Sequence, residues 1–170
     1  MAIQLIFCVE TNKKAATDII YITEAINYYY KVDNSVKLSK IFMKTKTRYN
    51  SKDIVRDIHD MTKLYTFGES KVIYCIDTDY FERNQEHERQ LKEISEYCEK
   101  NGYEIIWFCH DVEEVFQGRT IPDNQKVKEA GAFRRKRMIE NVDSRRLSSE
   151  RINCRMSNIF NVLDKYLERK

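Results

Sequence analysis

Acidic side chains directly follow three short apolar stretches of this chain. The stretches are residues 5–9, 72–76 and 105–109, and the acids after them are Glu10, Asp77, Asp79, Asp111, Glu113 and Glu114. Carboxylates that lie close together raise one another's pKa unless a cation lies between them. A hard divalent ion with a preference for oxygen ligands, Mg²⁺ or Mn²⁺, suits such a set. The acids therefore predict a metal-dependent enzyme that acts on phosphate groups.

The three apolar stretches are predicted to be buried strands of a parallel sheet. They are rich in β-branched and aromatic residues, and helical patterns separate them along the chain. Ligands of parallel sheets bind outside the carboxyl ends of the strands. If the strands are neighbours, their acids meet at one edge of the sheet.

The remaining pattern predicts alternating strands and helices. Strands are expected at residues 3–9, 36–43, 72–76 and 103–109, and helices at 13–30, 51–65, 85–100, 112–117, about 127–133, and 151–168. Thr11 or Asn12 is expected to cap the first helix, and Gly68 to close the second. The predicted fold class is α/β, a three-layer parallel-sheet domain of about four strands flanked by helices. Residues 1–120 form this domain, and residues 121–170 form a basic helical extension packed on it.

Charge is distributed unevenly between these two parts. Residues 121–170 carry 13 Lys and Arg against 7 Asp and Glu, whereas the first 120 residues carry 17 against 20. A basic region near an acidic metal site favours a polyanionic partner, although the extension could also dock on the acidic part of its own chain. The candidate nucleic-acid-binding residues are Arg134, Arg135, Lys136, Arg137, Arg145 and Arg146. Lys44, Lys46 and Arg48 form a smaller second patch.

Three segments resemble the motifs of Toprim domains, most closely those of the RloB-like branch, which is linked to restriction loci and phage defence. Residues 7–10 end in Glu10, residues 72–79 end in Asp77-Thr78-Asp79, and residues 107–116 place acids in a short apolar helix. The resemblance spans about residues 3–117. It implies a parallel sheet flanked by helices, with carboxylates that bind Mg²⁺ and process phosphodiesters. Relatives of this kind include OLD-type nucleases, topoisomerases and primases.

The resemblance also implies a role for each matching acid. Glu10 would be the general acid/base or a metal-linked carboxylate, Asp77 and Asp79 the metal ligands, and Glu113 or Glu114 the acid of the short helix. The expected function is an Mg²⁺- or Mn²⁺-dependent nuclease or defence component acting on nucleic acid, DNA or RNA. Thr11 stands where the family has Gly, and the segment that starts at His110 replaces the family's Asn-Pro-Cys-Phe-Glu. These departures motivate the alternative of a non-catalytic module that binds nucleic acid or a partner protein through its C-terminal helices.

Other functional classes have less support in the sequence. There is no P-loop or GxGxxG, which argues against an ATPase or a Rossmann dehydrogenase. A response-regulator receiver would carry its paired acids after the first strand. His110 could join the site as acid, base or ligand, but no two histidines lie at ligand spacing, which argues against zinc. The absence of a CxxC pair, an apolar span or a leader favours a cytoplasmic protein. The apolar stripe of the last helix would serve the core or a dimer face.

Overall fold

A sheet of four parallel strands forms the centre of the protein, in a computed structural model that describes all 170 residues. The strands are β1 (Ala2–Val9), β2 (Val36–Phe42), β3 (Gly68–Asp77) and β4 (Glu104–Phe108), and their order across the sheet is β2-β1-β3-β4. The chain passes from β1 to β2 on one side and then returns to β3 and β4 on the other. The switch point, where open parallel sheets bind ligands, therefore lies between β1 and β3.

Helices cover both faces of the sheet, which confirms the predicted three-layer α/β fold. They are α1 (Thr17–Tyr29), α2 (Lys52–Leu64), α3 (Gln85–Asn101), α4 (Val112–Gln117), α5 (Lys126–Arg135) and α6 (Ile159–Leu163). Successive strand residues point to opposite faces. Leu5 and Phe7 of β1 pack with α1, α4, α5 and α6, whereas Ile6 and Cys8 pack with α2 and α3. No helix is both long and apolar enough to cross a membrane.

The C-terminal extension contributes directly to the larger of the two cores. Phe133 of α5 and Ile159, Phe160 and Leu163 of α6 are buried in the same apolar cluster as Leu5 of β1. The apolar stripe of the last predicted helix therefore serves the core of this chain.

The prediction of a continuous helix over residues 151–168 was wrong, because α6 spans only Ile159–Leu163. The preceding residues instead lie along the free edge of β4, where Ser157 forms an antiparallel bridge with Phe108. The Asn158 side chain accepts a hydrogen bond from Trp107 N (2.9 Å) and donates one to Ile105 O (2.9 Å). Pairing with an exposed strand edge satisfies backbone groups that would otherwise lack partners, and it outweighs local helix propensity.

Replacing Asn158 with alanine is expected to lower the free energy of unfolding by about 2–3 kcal/mol, because it leaves the Trp107 N–H and Ile105 C=O without partners. The measurement is urea denaturation. Asn153→Ala is the matched control, since the exposed Asn153 side chain makes no hydrogen bond, and we expect no change there. Equal stability of the two variants would show that the edge contact contributes nothing.

Two predictions about element ends were also wrong. The first helix begins at Thr17, because Asn12 Oδ1 accepts hydrogen bonds from Lys14 N and Ala15 N and holds residues 12–15 in a turn. Gly68 does not close the second helix but begins β3. A Cβ atom at Gly68 would lie 1.8 Å from Ala2 O of the neighbouring strand, so only glycine fits.

Candidate metal site

Glu10 and Asp77 lie side by side at the switch point of the sheet. They end the adjacent strands β1 and β3, and Asp77 N donates a hydrogen bond of 2.5 Å to Glu10 Oε2. Burial raises the pKa of Glu10 to about 8, and the charges of Asp79 and Asp18 add to this effect while Lys46 opposes it. Two of the predicted site residues thus meet as expected from their positions after neighbouring parallel strands.

The negative charges of several neighbouring acids act on the carboxylate of Asp77. Its Oδ1 accepts a hydrogen bond of 3.0 Å from Val112 N at the start of α4. Burial raises its pKa well above the ordinary value, and the charges of Glu10 and Glu113 raise it further. A site that keeps Asp77 ionised must therefore bring in positive charge.

Glu113, rather than Glu114, belongs with these acids. Its side chain is on the inner side of α4, with the residue only 1 % exposed, and its buried Oε2 is 3.4 Å from Lys126 Nζ without forming a well-aligned hydrogen bond. Burial raises the pKa of Glu113 to about 7. Glu114 instead accepts a hydrogen bond of 3.0 Å from the Thr120 hydroxyl and faces His110. The structure thus separates two acids that the sequence left as alternatives.

Asp79 occupies the outer part of the site. Its backbone lies in the left-handed region, with φ of 49°, and its N–H donates to His110 O at 2.9 Å. Its carboxylate forms an ion pair with Lys46, whose Nζ also donates to Asp77 O at 3.1 Å. Lys46 is only 8 % exposed. A lysine that the sequence assigned to a surface patch is therefore part of the acidic site.

Two further site residues were not expected from the sequence. Asp18, in the first turn of α1, is 6 % exposed, and its carboxylate accepts hydrogen bonds from the N–H and hydroxyl of Thr11. Burial raises the pKa of Asp18. An acid inside the apolar stretch of residues 15–22 is the only sequence signal for it, and an acid at a helix start ordinarily indicates capping.

Lys126, the first residue of α5, is the second unexpected member. Its Nζ lies 3.2 Å from Asp111 Oδ2 and 3.4 Å from Glu113 Oε2. Burial lowers the pKa of Lys126, but Glu113 and Asp111 outweigh burial and the net shift is upward. Lys126 comes from the extension, so only the tertiary fold brings it to the acids.

The chemistry of the donors suits a hard divalent cation, and binding one would require the side chains to move closer, because no three of these carboxylates have oxygen atoms within 4.8 Å of one another. Glu10, Asp77 and Glu113 supply only oxygen atoms, the ligands preferred by Mg²⁺ and Mn²⁺. The pKa of each is raised, chiefly by burial, and Glu113 Oε2 has a 3.4 Å ion pair with Lys126 but no well-formed hydrogen bond. Lys46 and Lys126 supply only two positive charges for the six acids Glu10, Asp18, Asp77, Asp79, Asp111 and Glu113. A divalent cation would offset the remaining charge.

No protein family, curated protein or solved structure matches the chain. The resemblance to Toprim domains therefore stays a prediction from the motifs, and function has to be argued from the site itself.

The arginine-rich cluster of residues 134–137 lies away from the acids. Lys126 and Arg134 are separated by about 12 Å along α5, at 1.5 Å of rise per residue. Arg134 pairs at 3.1 Å with Glu24, in the second turn of α1. Arg145 pairs with Asp143, and the Arg146 guanidinium packs on Gly118. The structure does not bring these six candidate residues to the carboxyl edge of the sheet as one group.

A different set of cations lies at the same edge of the sheet as the acids. We call it the basic rim: exposed Lys and Arg in the loops at the carboxyl ends of the strands, none of them in an ion pair. Its members are Lys13, Lys14, Lys44, Arg83 and Arg155. Arg155 is held there because its backbone N–H donates to Cys109 O at 2.6 Å. Exposed cations without acidic partners beside a metal site are suited to contacts with phosphate groups.

Proposed function

We propose that the protein is an Mg²⁺- or Mn²⁺-dependent enzyme that cleaves or transfers phosphodiesters of nucleic acid, a nuclease in the simplest case. One observation carries the proposal: at the switch point of a parallel sheet, Asp77 interacts with Glu10 on β1 and with the start of α4, which carries Glu113, and the pKa of each of the three acids is raised chiefly by burial. Keeping such acids there costs stability, and this cost is typical of functional sites. The motif resemblance to Toprim domains points to the same chemistry.

The side chains have separable roles in this proposal. Glu10, Asp77 and Glu113 would hold the ion, with Asp79 at its outer side. When bound, the ion would polarise the phosphodiester and lower the pKa of a water molecule. Glu10 Oε2 is engaged by Asp77 N, whereas Oε1 accepts no hydrogen bond within the protein. In the metal-free protein the pKa of Glu10 is about 8, so binding of the ion would displace its proton near neutral pH.

The basic rim supports nucleic acid as the substrate class. Four of its five cations follow β1, β2 and β3 in the chain, and the fifth, Arg155, is joined to Cys109 after β4, so all five belong to the edge of the sheet that carries the acids. Contacts with phosphates position a backbone and do not select a sequence. We therefore expect cleavage with little sequence preference.

The direct test is cleavage of labelled single- and double-stranded DNA and RNA in the presence of Mg²⁺ or Mn²⁺. The variant is Asp79→Asn, because asparagine tolerates the left-handed backbone at this position. The control is Asp60→Asn, an exposed acid of α2. We expect cleavage by the wild type that a chelator stops, a loss of about 10-fold or more in Asp79→Asn, and no loss in the control. No cleavage and no calorimetric binding of either ion by the wild type would refute the proposal.

Neutralising the basic rim is expected to weaken nucleic-acid binding by about 10-fold or more and to reduce the salt slope by about 1 per lost phosphate contact. The rim variant replaces Lys13, Lys14 and Arg83 with glutamine. The matched variant makes the same replacement at residues 135–137, which also removes three positive charges, and we expect a smaller effect there. The measurement is fluorescence anisotropy with an oligonucleotide over a range of salt.

A larger loss of binding in the variant of residues 135–137 than in the rim variant would favour the second candidate function, a non-catalytic binding module. Arg135 and Lys136 are exposed and form no ion pair, which gives this alternative its structural basis. In that case binding would depend on residues 135–137, would need no divalent ion, and would survive Asp79→Asn.

A further inference from the structure

We propose that His110, Glu114 and Cys154 form a second metal site, one for Zn²⁺ or a similar transition-metal ion. One ligand atom from each of these residues lies within 4.8 Å of the other two. These ligand atoms come from side chains other than those assigned to the carboxylate site, and the two sites meet at the hydrogen bond from Asp79 N to His110 O.

The chemistry of the donors distinguishes this cluster from the carboxylate site. It offers an imidazole nitrogen, a thiol sulfur and a carboxylate oxygen, a combination that suits Zn²⁺ and not Mg²⁺. Zinc binds such atoms at about 2.0–2.3 Å in a tetrahedron, so ligand atoms lie about 3.3–3.8 Å apart. Side-chain movements of about 1 Å would bring atoms within 4.8 Å to this geometry. Water can supply the fourth position.

The surroundings of the His110 ring support a role as ligand. Its Nε2 lies 3.0 Å from Glu82 Oε1, and its Nδ1 lies 3.3 Å from Glu114 Oε2. Donation to both carboxylates requires a proton on each ring nitrogen. A cation bound by Nδ1 and Glu114 would take the place of the Nδ1 proton while Nε2–H donates to Glu82. Histidine ligands of metals commonly donate their second N–H to a carboxylate in this manner.

An ion can reach this position from solvent. A cavity of about 310 Å³ is lined by Tyr80, Glu82, Arg83, His110 and Cys154. Cys154 is the one exposed cysteine of the five. The Tyr80 ring stacks on the His110 ring with 4.4 Å between their centroids and holds its orientation.

The site would connect three parts of the protein. Glu82 follows β3, His110 and Glu114 lie at the start of α4, and Cys154 belongs to the C-terminal extension. Asp79 N donates to His110 O, so an ion at His110 would also stabilise the loop that carries Asp79. Binding requires the Cys154 thiolate, and the thiol proton is released to solvent. His110 and Cys154 are far apart in sequence, which is why ligand spacing gives no sign of the site.

The test uses Co²⁺ as a spectroscopic probe of the chelator-treated protein. We expect a thiolate-to-cobalt charge-transfer absorption band that saturates with Co²⁺ and disappears when Zn²⁺ displaces it. Cys154→Ser should remove the band and weaken Co²⁺ binding by more than the roughly 10-fold loss typical of an outer-shell partner. Glu82→Gln should keep the band and weaken binding by about 10-fold.

A double variant, Asp77→Asn with Asp79→Asn, distinguishes this site from the carboxylate site. It should keep both the band and the affinity. The proposal is overturned if the wild type shows no charge-transfer band, if Cys154→Ser keeps it, or if the double variant loses it. Zn²⁺ should also raise the melting temperature of the wild type and leave that of Cys154→Ser unchanged, and equal shifts in the two proteins would contradict the proposal.

Discussion

Asp77→Asn is expected to lower metal-dependent cleavage by about 100-fold or more, a loss typical of removing one preorganised electrostatic group from an active site. The same variant is expected to be more stable than the wild type by roughly 1–3 kcal/mol at about pH 8, because it replaces a partly buried acid, whose charged form is poorly solvated, by a neutral amide. The asparagine Oδ1 can still accept the hydrogen bond from Val112 N, so the backbone geometry is kept. Opposite changes in activity and stability are the expected result for a residue kept for function.

Urea denaturation and the cleavage assay on the same preparations measure both effects. Asp60→Asn is again the control, since it removes one carboxylate from the surface and should change neither property. If Asp77→Asn lost stability together with activity, Asp77 would be a structural residue. An unchanged activity would show that the carboxylate is not part of the reaction.

The strands and the positions of the main acids could be predicted because both depend on local pattern. Buried parallel strands are apolar over their whole length, and the residues that follow them must lie at one edge. Glu10 and Asp77 therefore meet as expected. The helix α4 was predicted at its observed bounds, Val112–Gln117.

The remaining site residues could not be predicted because they depend on contacts distant in sequence. Lys126 reaches Glu113 only because α5 packs beside α1 and α4. The helix expected over residues 151–168 is interrupted because Asn158 pairs with the edge of β4, a partner that no local pattern reveals. The same long-range placement brings Cys154 to His110.

The stability of the metal-free protein is expected to fall as pH rises from about 5 to 8. Burial raises the pKa of Glu10 from 4.5 to about 8 and that of Glu113 from 4.5 to about 7. Between about pH 5 and 8 the two acids keep protons in the folded chain that they have lost in the unfolded chain. Unfolding therefore releases protons and becomes more favourable at higher pH. One pKa unit corresponds to about 1.4 kcal/mol, so Glu10 alone contributes an effect of several kcal/mol.

Surface acids do not reverse this fall in stability between about pH 5 and 8. The Ser51 hydroxyl and the Arg48 guanidinium lower the pKa of Asp53 to about 2. A lowered pKa stabilises the folded state at pH values above the unfolded pKa, and this contribution is lost only as the pH falls through the folded value. The lowered pKa of Asp53 therefore affects stability only below about pH 4. Between about pH 5 and 8 the buried acids determine how stability depends on pH.

Mg²⁺ is expected to oppose the loss, because the ion binds the ionised acids and competes with their protons. Urea denaturation at about pH 5.5, 7 and 8.5 should therefore show that added Mg²⁺ has little effect at the lowest pH and the largest stabilising effect at the highest. Glu10→Gln should flatten the metal-free profile, since its amide does not titrate, and it should also weaken the response to Mg²⁺. A metal-free stability that rises toward about pH 8.5 would contradict the burial of ionisable acids at the switch point. If stability fell with rising pH and Mg²⁺ had no effect on it, the result would support the buried acids and refute the metal ion in the proposed function.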